Sequence, residues 1–212
     1  MRAKLDSLKN RDKVHLIIGP SLGHEGMAAV DWGARNPEVP ILIGYSAPED
    51  ITMRKATKSV IRPGWTGAQV IFNFGQYCAK DLGYKKIIIV GQDYSYPWDQ
   101  AAGFIRGFLE NGGEKVERIW HPVEAVYFSS IMAKLMSMSN EYDAVLNNSG
   151  GAQVIGFFKQ WKQFGLDKVY PQILGQANVP IVSMLSELGN SALGVYSSLH
   201  YYDGNPSAAN QK

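Results

Sequence analysis

The chain has 212 residues, of which 45% are apolar and 19% are charged. That composition supplies a sizeable hydrophobic core and excludes an intrinsically disordered protein. The formal net charge of +2 is spread along the chain without a run of basic residues, which argues against a nucleic-acid-binding protein. The sequence contains no run of about 18 apolar residues, so no membrane-spanning helix is predicted. The single cysteine, Cys78, excludes an internal disulfide.

Short runs rich in Ile, Leu and Val predict β-strands. The clearest is KKIIIVG at residues 85–91. Nearly continuous runs of this kind are typical of parallel strands that are covered on both faces. The predicted strands are residues 14–19, 40–45, 85–91, 114–120, 142–148, 171–175 and 192–201, with a short β-like piece at 59–62. The alternating pattern of residues 114–120 predicts a strand nearer the edge of its sheet.

Helical periodicity fills most of the intervals between these strands, with apolar residues three and four positions apart. The predicted helices are residues 3–9, 66–82, 97–111, 128–139 and 152–164. Pro97 is expected at the first position of its helix, and Cys78 is expected to pack as a small hydrophobic residue. Alternation of strands and helices predicts an α/β protein with Rossmann-like parallel sheets.

An irregular segment at residues 53–65 is longer than an ordinary connection between a strand and a helix, and it predicts a passage between two sheets. We therefore expect a partial first lobe at residues 1–62, a second lobe at 63–202 and a polar tail at 203–212. The chain begins in a predicted helix without a preceding strand, and no helix follows its last strand. These features predict a truncated or reduced version of a larger two-lobed protein.

The loops that follow the strands carry the candidate chemistry, because ligands bind at the carboxyl ends of strands in open α/β sheets. These loops are rich in Ser, Gly, Asn, Gln and Tyr and contain few charges; they are PSLGHEG, SAPEDIT, QDYSYPW, NSGGAQ and QANVP. Small residues let backbone N–H groups approach a ligand, and tyrosines supply an apolar wall with a polar tip. This composition indicates binding of a small polar or amphipathic molecule without a chemical reaction.

Motifs for catalysis and cofactor binding are absent from the sequence. No G-x-S-x-G elbow, no G-x-G-x-x-G after a strand and no phosphate-binding loop occurs. His24 and Glu25 are adjacent, but the other histidines lie at spacings that do not complete a metal site. We predict no catalytic residue, no metal site and no cofactor. Arg62 has two interpretations, anion binding and anchoring of its segment through hydrogen bonds to carbonyl groups, and the second is favoured.

Four segments in order resemble type I periplasmic binding proteins, most closely the leucine/isoleucine/valine-binding branch of ABC importers. They are AKLDSLKNRDKVHLIIGPSLGHEGMAAV, VPILIGYSAPEDIT, the run from SVIRPGW to LENGGEKV, and YDAVLNNSGGAQVIGFFKQWKQFGL. The resemblance covers the chain to about residue 202. It implies the type I periplasmic-binding-protein fold, with two lobes that clamp a small solute between them.

The same resemblance implies a set of ligand-binding residues. In the first lobe they are Ser21, Leu22, Gly23, His24, Tyr45, Ser46 and Ala47; in the second lobe they are Tyr94, Tyr96, Asn148, Ser149, Gly150 and Gln176. Tyr96 matches the tyrosine that closes over the ligand in that family. Gln176 stands where amino-acid binders place a glutamate that pairs with the ligand ammonium group. An amide cannot balance a cation, which favours an amide, a urea-like compound or an aromatic acid over a plain amino acid. Gln92-Asp93 could still supply a carboxylate, so an amino acid stays open as a ligand.

The resemblance implies a non-enzymatic, substrate-binding component of an ABC importer, located in the periplasm or outside the cell. Its partners would be a small-molecule ligand and a membrane permease, with a possible homodimer through exposed sheet edges and no nucleic acid. Two alternatives remain open at this point. One is a ligand-sensing domain of a receptor or regulator with the same fold, and the other is a flavodoxin-like α/β enzyme.

Overall fold

A computed structural model describes residues 1–151, 153–174, 182–201 and 204–211. The helices are α1 (Arg2–Asn10), α2 (Gly23–Gly33), α3 (Gly67–Lys80), α4 (Ser95–Leu109), α5 (Ser129–Ser137), α6 (Gln153–Gln163) and α7 (Val182–Leu188). The strands are β1 (Ile17–Ile18), β2 (Ile41–Leu42), β3 (Val60–Ile61), β4 (Lys86–Gln92), β5 (Lys115–His121), β6 (Ala144–Asn148), β7 (Gln172–Leu174) and β8 (Tyr196–Ser197). Within this described part, every helix is too short or too polar to span a bilayer.

The strands form two sheets, and every pairing between the described strands is parallel. The first sheet has the order β1-β2-β3, and the second has the order β5-β4-β6-β7-β8. The predicted α/β class with parallel sheets is confirmed. The strand β5, at residues 115–121, lies at the edge that its alternating sequence predicts.

The chain folds into two compact units. The first unit comprises Met1–Gln69 and Asp93–Gly103, and the second comprises Val70–Gln92 and Phe104–Lys212. The predicted lobe boundary at residue 62 separates the two sheets, but the compact units divide the chain differently, because residues 93–103 belong with the first unit. The division into lobes at 1–62 and 63–202 stays a prediction.

Among the described residues, the three-stranded sheet of the first unit has core packing on one face and exposed isoleucines on the other. Ile17, Ile41 and Val60 pair side by side on the face that packs against the buried core of α1 and α2. On the other face, Ile18 is 75% exposed and Ile61 is 58% exposed. The expectation that both faces of these strands are covered is wrong for this sheet, because the helices of this unit pack on the opposite face.

The first sheet has three strands, whereas the sequence predicts two strands, at 14–19 and 40–45, before the passage between sheets. Residues 59–62 were expected as a short β-like piece in a passage between sheets, yet β3 pairs with β2 inside the first sheet. Consequently β2 is a central strand, and the outer strands of the sheet are β1 and β3.

The five-stranded sheet of the second unit is buried far more completely. Residues Ile87 to Val90 of β4 and Ala144 to Leu146 of β6 are inaccessible to solvent. Cys78 is also fully buried, and burial raises the pKa of its thiol to about 12. This confirms that Cys78 is a packed core residue rather than a reactive thiolate.

Helix α2 was not predicted, and its composition explains why. Its buried residues include Gly26, Ala29 and Gly33 beside Val30 and Trp32. A β-carbon added at Gly26 would lie 2.1 Å from Ser46 Oγ. The helix therefore packs by close backbone approach, and glycine at core-facing positions hides the apolar stripe on which the prediction depends.

Candidate functional site

The first candidate site is the carboxyl rim of the sheet in the first unit. Ser21 and Leu22 are exposed just after β1, whereas Gly23 and His24 lie in the first turn of α2 rather than in a loop. That correction changes the chemistry of the segment. The first-turn N–H groups of a helix have no partner within the helix, and with the helix dipole they attract anions.

Two side chains organise the start of α2. Ser46 Oγ donates a hydrogen bond to the Leu22 carbonyl at 3.0 Å. The Glu25 carboxylate accepts a hydrogen bond from the Leu22 N–H at 3.4 Å. Ser46 is almost fully buried and stabilises the turn from the protein interior. Its hydroxyl hydrogen is used in the bond to the Leu22 carbonyl.

Aromatic side chains border this turn. His24 and Tyr94 meet edge to face, with ring centroids 5.9 Å apart. Tyr45, which is 45% exposed, meets Trp65 edge to face at 6.0 Å. A β-carbon at Gly23 would lie 3.0 Å from Tyr96 Cβ. His24, Gly23, Tyr94 and Tyr96 are therefore brought together within the first unit.

The two tyrosines of this cluster keep their protons. Burial raises the pKa of Tyr94 to about 12, and the nearby Tyr45 adds to the rise. Burial also raises the pKa of Tyr96, against the effect of Gln100, whose side-chain N–H donates to the Tyr96 oxygen at 3.1 Å. Both hydroxyl groups are consequently neutral at ordinary pH and can donate hydrogen bonds.

Tyr96 does not lie in a loop, because α4 begins two residues before Pro97. The Trp98 N–H donates to the Tyr94 carbonyl at 3.3 Å, and the helix starts at Ser95. Proline fits within this first turn because its missing N–H has no helical partner there. Ser95 Oγ is buried next to Gly23 and has no hydrogen-bond partner among the described residues.

Two further residues have structural roles. Ala47 is almost fully buried, and its carbonyl accepts a hydrogen bond from the Gly67 N–H at 2.9 Å. Arg62 donates to the Pro48 carbonyl at 2.7 Å and to Thr52 Oγ1. This confirms the interpretation that Arg62 anchors its segment by hydrogen bonding to carbonyl groups.

The second candidate site is the carboxyl rim of the sheet in the second unit. Asn148 ends β6 and is buried, while Ser149 and Gly150 follow it and are partly exposed. The Ser149 N–H donates to Asn147 Oδ1 at 3.2 Å. The Gly150 N–H donates to Gln92 Oε1 at 3.0 Å. These main-chain donors are thus used within the protein, contrary to the expectation that they would serve a ligand.

Two residues of this rim, Gln92 and His121, are outside the predicted set of ligand-binding residues. His121 Nε2 lies 2.8 Å from Ser149 Oγ, and the Gln92 amide N–H donates to the Val123 carbonyl at 3.0 Å. The available sequence signal was a polar residue at the end of each apolar run, and the strand register brings these ends together. Gln92 pairs with His121, and the preceding Gly91 pairs with Asn148, so each of three neighbouring strands ends in a polar residue.

The remaining predicted site residue, Gln176, lies outside the described residues. In the described ranges, no group of three His, Cys, Asp or Glu side chains could hold a metal ion. The two rims offer hydroxyl, amide and backbone hydrogen-bonding groups, and the first rim adds aromatic rings. Such surfaces suit recognition of a small organic molecule.

Comparison with known proteins identifies the family. The sequence model described as "Periplasmic binding protein" matches residues 2–212. A Leu/Ile/Val-binding protein homolog 6 from Brucella melitensis biotype 1 is 31% identical over 213 residues, which cover 100% of this chain and 53% of the relative. The chain spans about half the length of the curated relatives it matches.

Two solved structures of ABC-transporter solute-binding proteins are also similar. One, from Rhodopseudomonas palustris BisB5 in complex with 3,4-dihydroxybenzoic acid, is 28% identical with a TM-score of 0.84, covering 99% of this chain and 56% of that chain. The other, from R. palustris in complex with 4-hydroxybenzoate, is 25% identical with a TM-score of 0.85 and the same coverage. The chain belongs to the periplasmic binding protein family, and it has the type I fold of those proteins.

Proposed function

We propose that the chain is the substrate-binding part of an ABC-type importer and that it binds a small aromatic carboxylic acid without transforming it. The observation that carries this proposal is the first rim, where the N-terminal turn of α2 meets the rings of His24 and Tyr94. Helix N–H groups suit a carboxylate, and aromatic edges suit a ring. The hydroxybenzoates held by the two similar solute-binding proteins combine the same two features.

A binding screen tests this proposal against the other ligand classes that the sequence left open. Calorimetric titrations would use benzoate, 4-hydroxybenzoate, leucine, valine, acetamide and urea. We expect the aromatic acids to bind and the others to bind at least about tenfold more weakly, because leucine, valine, acetamide and urea have no aromatic ring to pack against His24 and Tyr94. Tight binding of leucine with no binding of benzoate would contradict the proposal.

A variant pair locates the ligand. Replacing His24 with Ala removes the ring that meets Tyr94 and should weaken 4-hydroxybenzoate binding. Replacing His15, which is exposed outside this cluster, with Ala should leave the affinity unchanged. Equal affinities of the two variants would remove the first rim from the proposed ligand site.

The importer role implies two further proposals, namely a periplasmic or extracellular location and a membrane permease as partner. They draw support from the family description and from the similar proteins, which are solute-binding proteins of ABC transporters. Crosslinking to the permease encoded nearest to this gene, with and without 4-hydroxybenzoate, would test the partner. An importer without affinity for the chain would contradict it.

A homodimer through the first sheet is also part of the proposal. Ile18 and Ile61 expose apolar surface on strands that are at the edges of that sheet, and such surface favours self-association. Light scattering should show concentration-dependent association that the double variant Ile18→Lys, Ile61→Lys abolishes. Leu193→Lys, at a residue also 75% exposed, is the matched control and should leave association unchanged. A monomer at every concentration would refute the dimer.

A further inference from the structure

The hydrogen bond between His121 and Ser149 has a defined direction. His121 Nδ1 lies 2.9 Å from the Pro122 carbonyl oxygen. A carbonyl only accepts, so Nδ1 must carry the proton. In the neutral imidazole, Nε2 is then an acceptor, and the Ser149 hydroxyl donates to it across 2.8 Å.

The imidazole is held in this orientation by its surroundings. His121 is only 3% exposed, and its ring meets the fully buried ring of Phe128 edge to face at 5.1 Å. The Phe128 backbone N–H in turn donates to Gln160 Oε1 at 2.7 Å. A flip of the imidazole ring would turn Nδ1–H away from the Pro122 carbonyl and put a carbon atom in its place. The packed core opposes that motion.

Two backbone donors of this loop, the Ser149 and Gly150 N–H groups, are also committed. Gln92 donates through its amide nitrogen to the Val123 carbonyl, so its oxygen faces the Gly150 N–H. The Ser149 N–H donates to Asn147 Oδ1. With its hydroxyl hydrogen bound to His121, Ser149 presents only the lone pairs of its oxygen to a ligand.

We infer that His121, acting through Ser149, makes this rim a hydrogen-bond acceptor that selects ligands with an O–H or N–H group and disfavours a carbonyl or carboxylate there. The inference rests on the proposed binding function. His121 is a positioning residue: it orients the Ser149 hydroxyl and thereby determines ligand specificity. A ligand carbonyl facing Ser149 would leave two acceptors opposed without a proton between them, which is unfavourable in a partly buried site.

Two nearly equal-sized probes test the selection, 4-(hydroxymethyl)benzoate and 4-formylbenzoate, because only the first can donate. We expect the unaltered protein to prefer the first by about tenfold or more. In His121→Phe, the Ser149 hydroxyl is released to donate, so the preference should shrink to about twofold or less. Ser149→Ala should shrink it as well, and His15→Gln should preserve it. Equal affinities in the unaltered protein would overturn the inference.

The protonation of His121 can be measured without any ligand. Nitrogen NMR of the unaltered protein should show the proton on Nδ1 and a bare Nε2. A proton on Nε2, or on both nitrogens, would overturn the inference whether or not the variants fold. If neither probe binds while the Nδ1 proton is observed, the proposed ligand class fails and the direction of the hydrogen bond stands.

Discussion

Strands of both sheets are rich in Ile, Leu and Val, but their surroundings differ. Ile18 in β1 and Ile88 in β4 both belong to runs of Ile, Leu and Val, yet Ile18 is 75% exposed and Ile88 is fully buried. The second sheet has helical and strand neighbours that bury its central strands, whereas the first sheet has core packing on one face. An apolar run therefore predicts a strand more reliably than it predicts what covers that strand.

The largest expected difference between the sheets is in the cost of truncating an isoleucine. Ile88→Ala should lower the free energy of unfolding by about 2–5 kcal/mol, because it leaves a cavity in a packed core. The matched change Ile18→Ala should stay within about 0.5 kcal/mol, because its side chain is largely in water. Urea denaturation measures both. Similar costs for the two variants would show that the exposed face of the first sheet is covered in solution.

A smaller effect is expected where helices approach closely in the second unit. A β-carbon at Gly107 would lie 2.0 Å from the Phe72 carbonyl oxygen, so Gly107→Ala should destabilise the protein by about 1–3 kcal/mol through overpacking. Gly156 of α6 has only ordinary contacts at 3.5 Å or beyond. Gly156→Ala should stabilise by up to about 1 kcal/mol, because alanine favours the helix. Thermal unfolding of both variants checks the contrast, and equal destabilisation would refute it.

The smallest effect is a pH dependence in the first unit. Burial raises the pKa of Asp99, and the carboxylates of Glu49 and Asp50 add to the rise. The folded state therefore holds this proton more tightly than the unfolded chain. Its stabilising contribution is present at low pH and is lost as the pH rises through the raised value. Asp99→Asn should lack that loss, so its stability relative to the unaltered protein should increase with pH in this window.

Asp12 provides the control for the opposite sign. The hydrogen bond from Arg11 lowers the pKa of Asp12, so its contribution is present at higher pH and is lost as the pH falls through the lowered value. Denaturation curves of Asp12→Asn and Asp99→Asn between acidic and neutral pH should deviate from the unaltered protein in opposite directions. Parallel deviations would contradict both assignments.

Sequence reasoning located the sheet and its strands where side-chain character is strong. Strand β4 lies within one residue of its predicted bounds, and the Cys78 face of α3 is buried as expected. Sequence reasoning failed where glycine residues make the packing contacts. Helix α2 contains Gly26 and Gly33 on its buried face, and a pattern of hydrophobic residues cannot reveal a contact made by backbone atoms.

For the candidate site, residue composition indicated neutral polar groups at the carboxyl ends of strands, and Ser149 and Tyr96 lie near such ends. The direction of their hydrogen bonds could not be predicted. That direction depends on which carbonyl His121 faces and on which N–H groups donate hydrogen bonds to Asn147 and Gln92. Those partners come from segments that are distant in sequence.

The sequence by itself determined the class of fold, because the period of apolar residues and the strand–helix alternation are local properties of the chain. It also determined that the loops at the rims are rich in tyrosine and amide side chains and contain few charges. Only the tertiary structure decided that one sheet face stays exposed, that α2 begins at Gly23, and that His121 orients Ser149. These outcomes depend on which surfaces meet, and hydrogen-bond direction and burial are properties of pairs rather than of single residues.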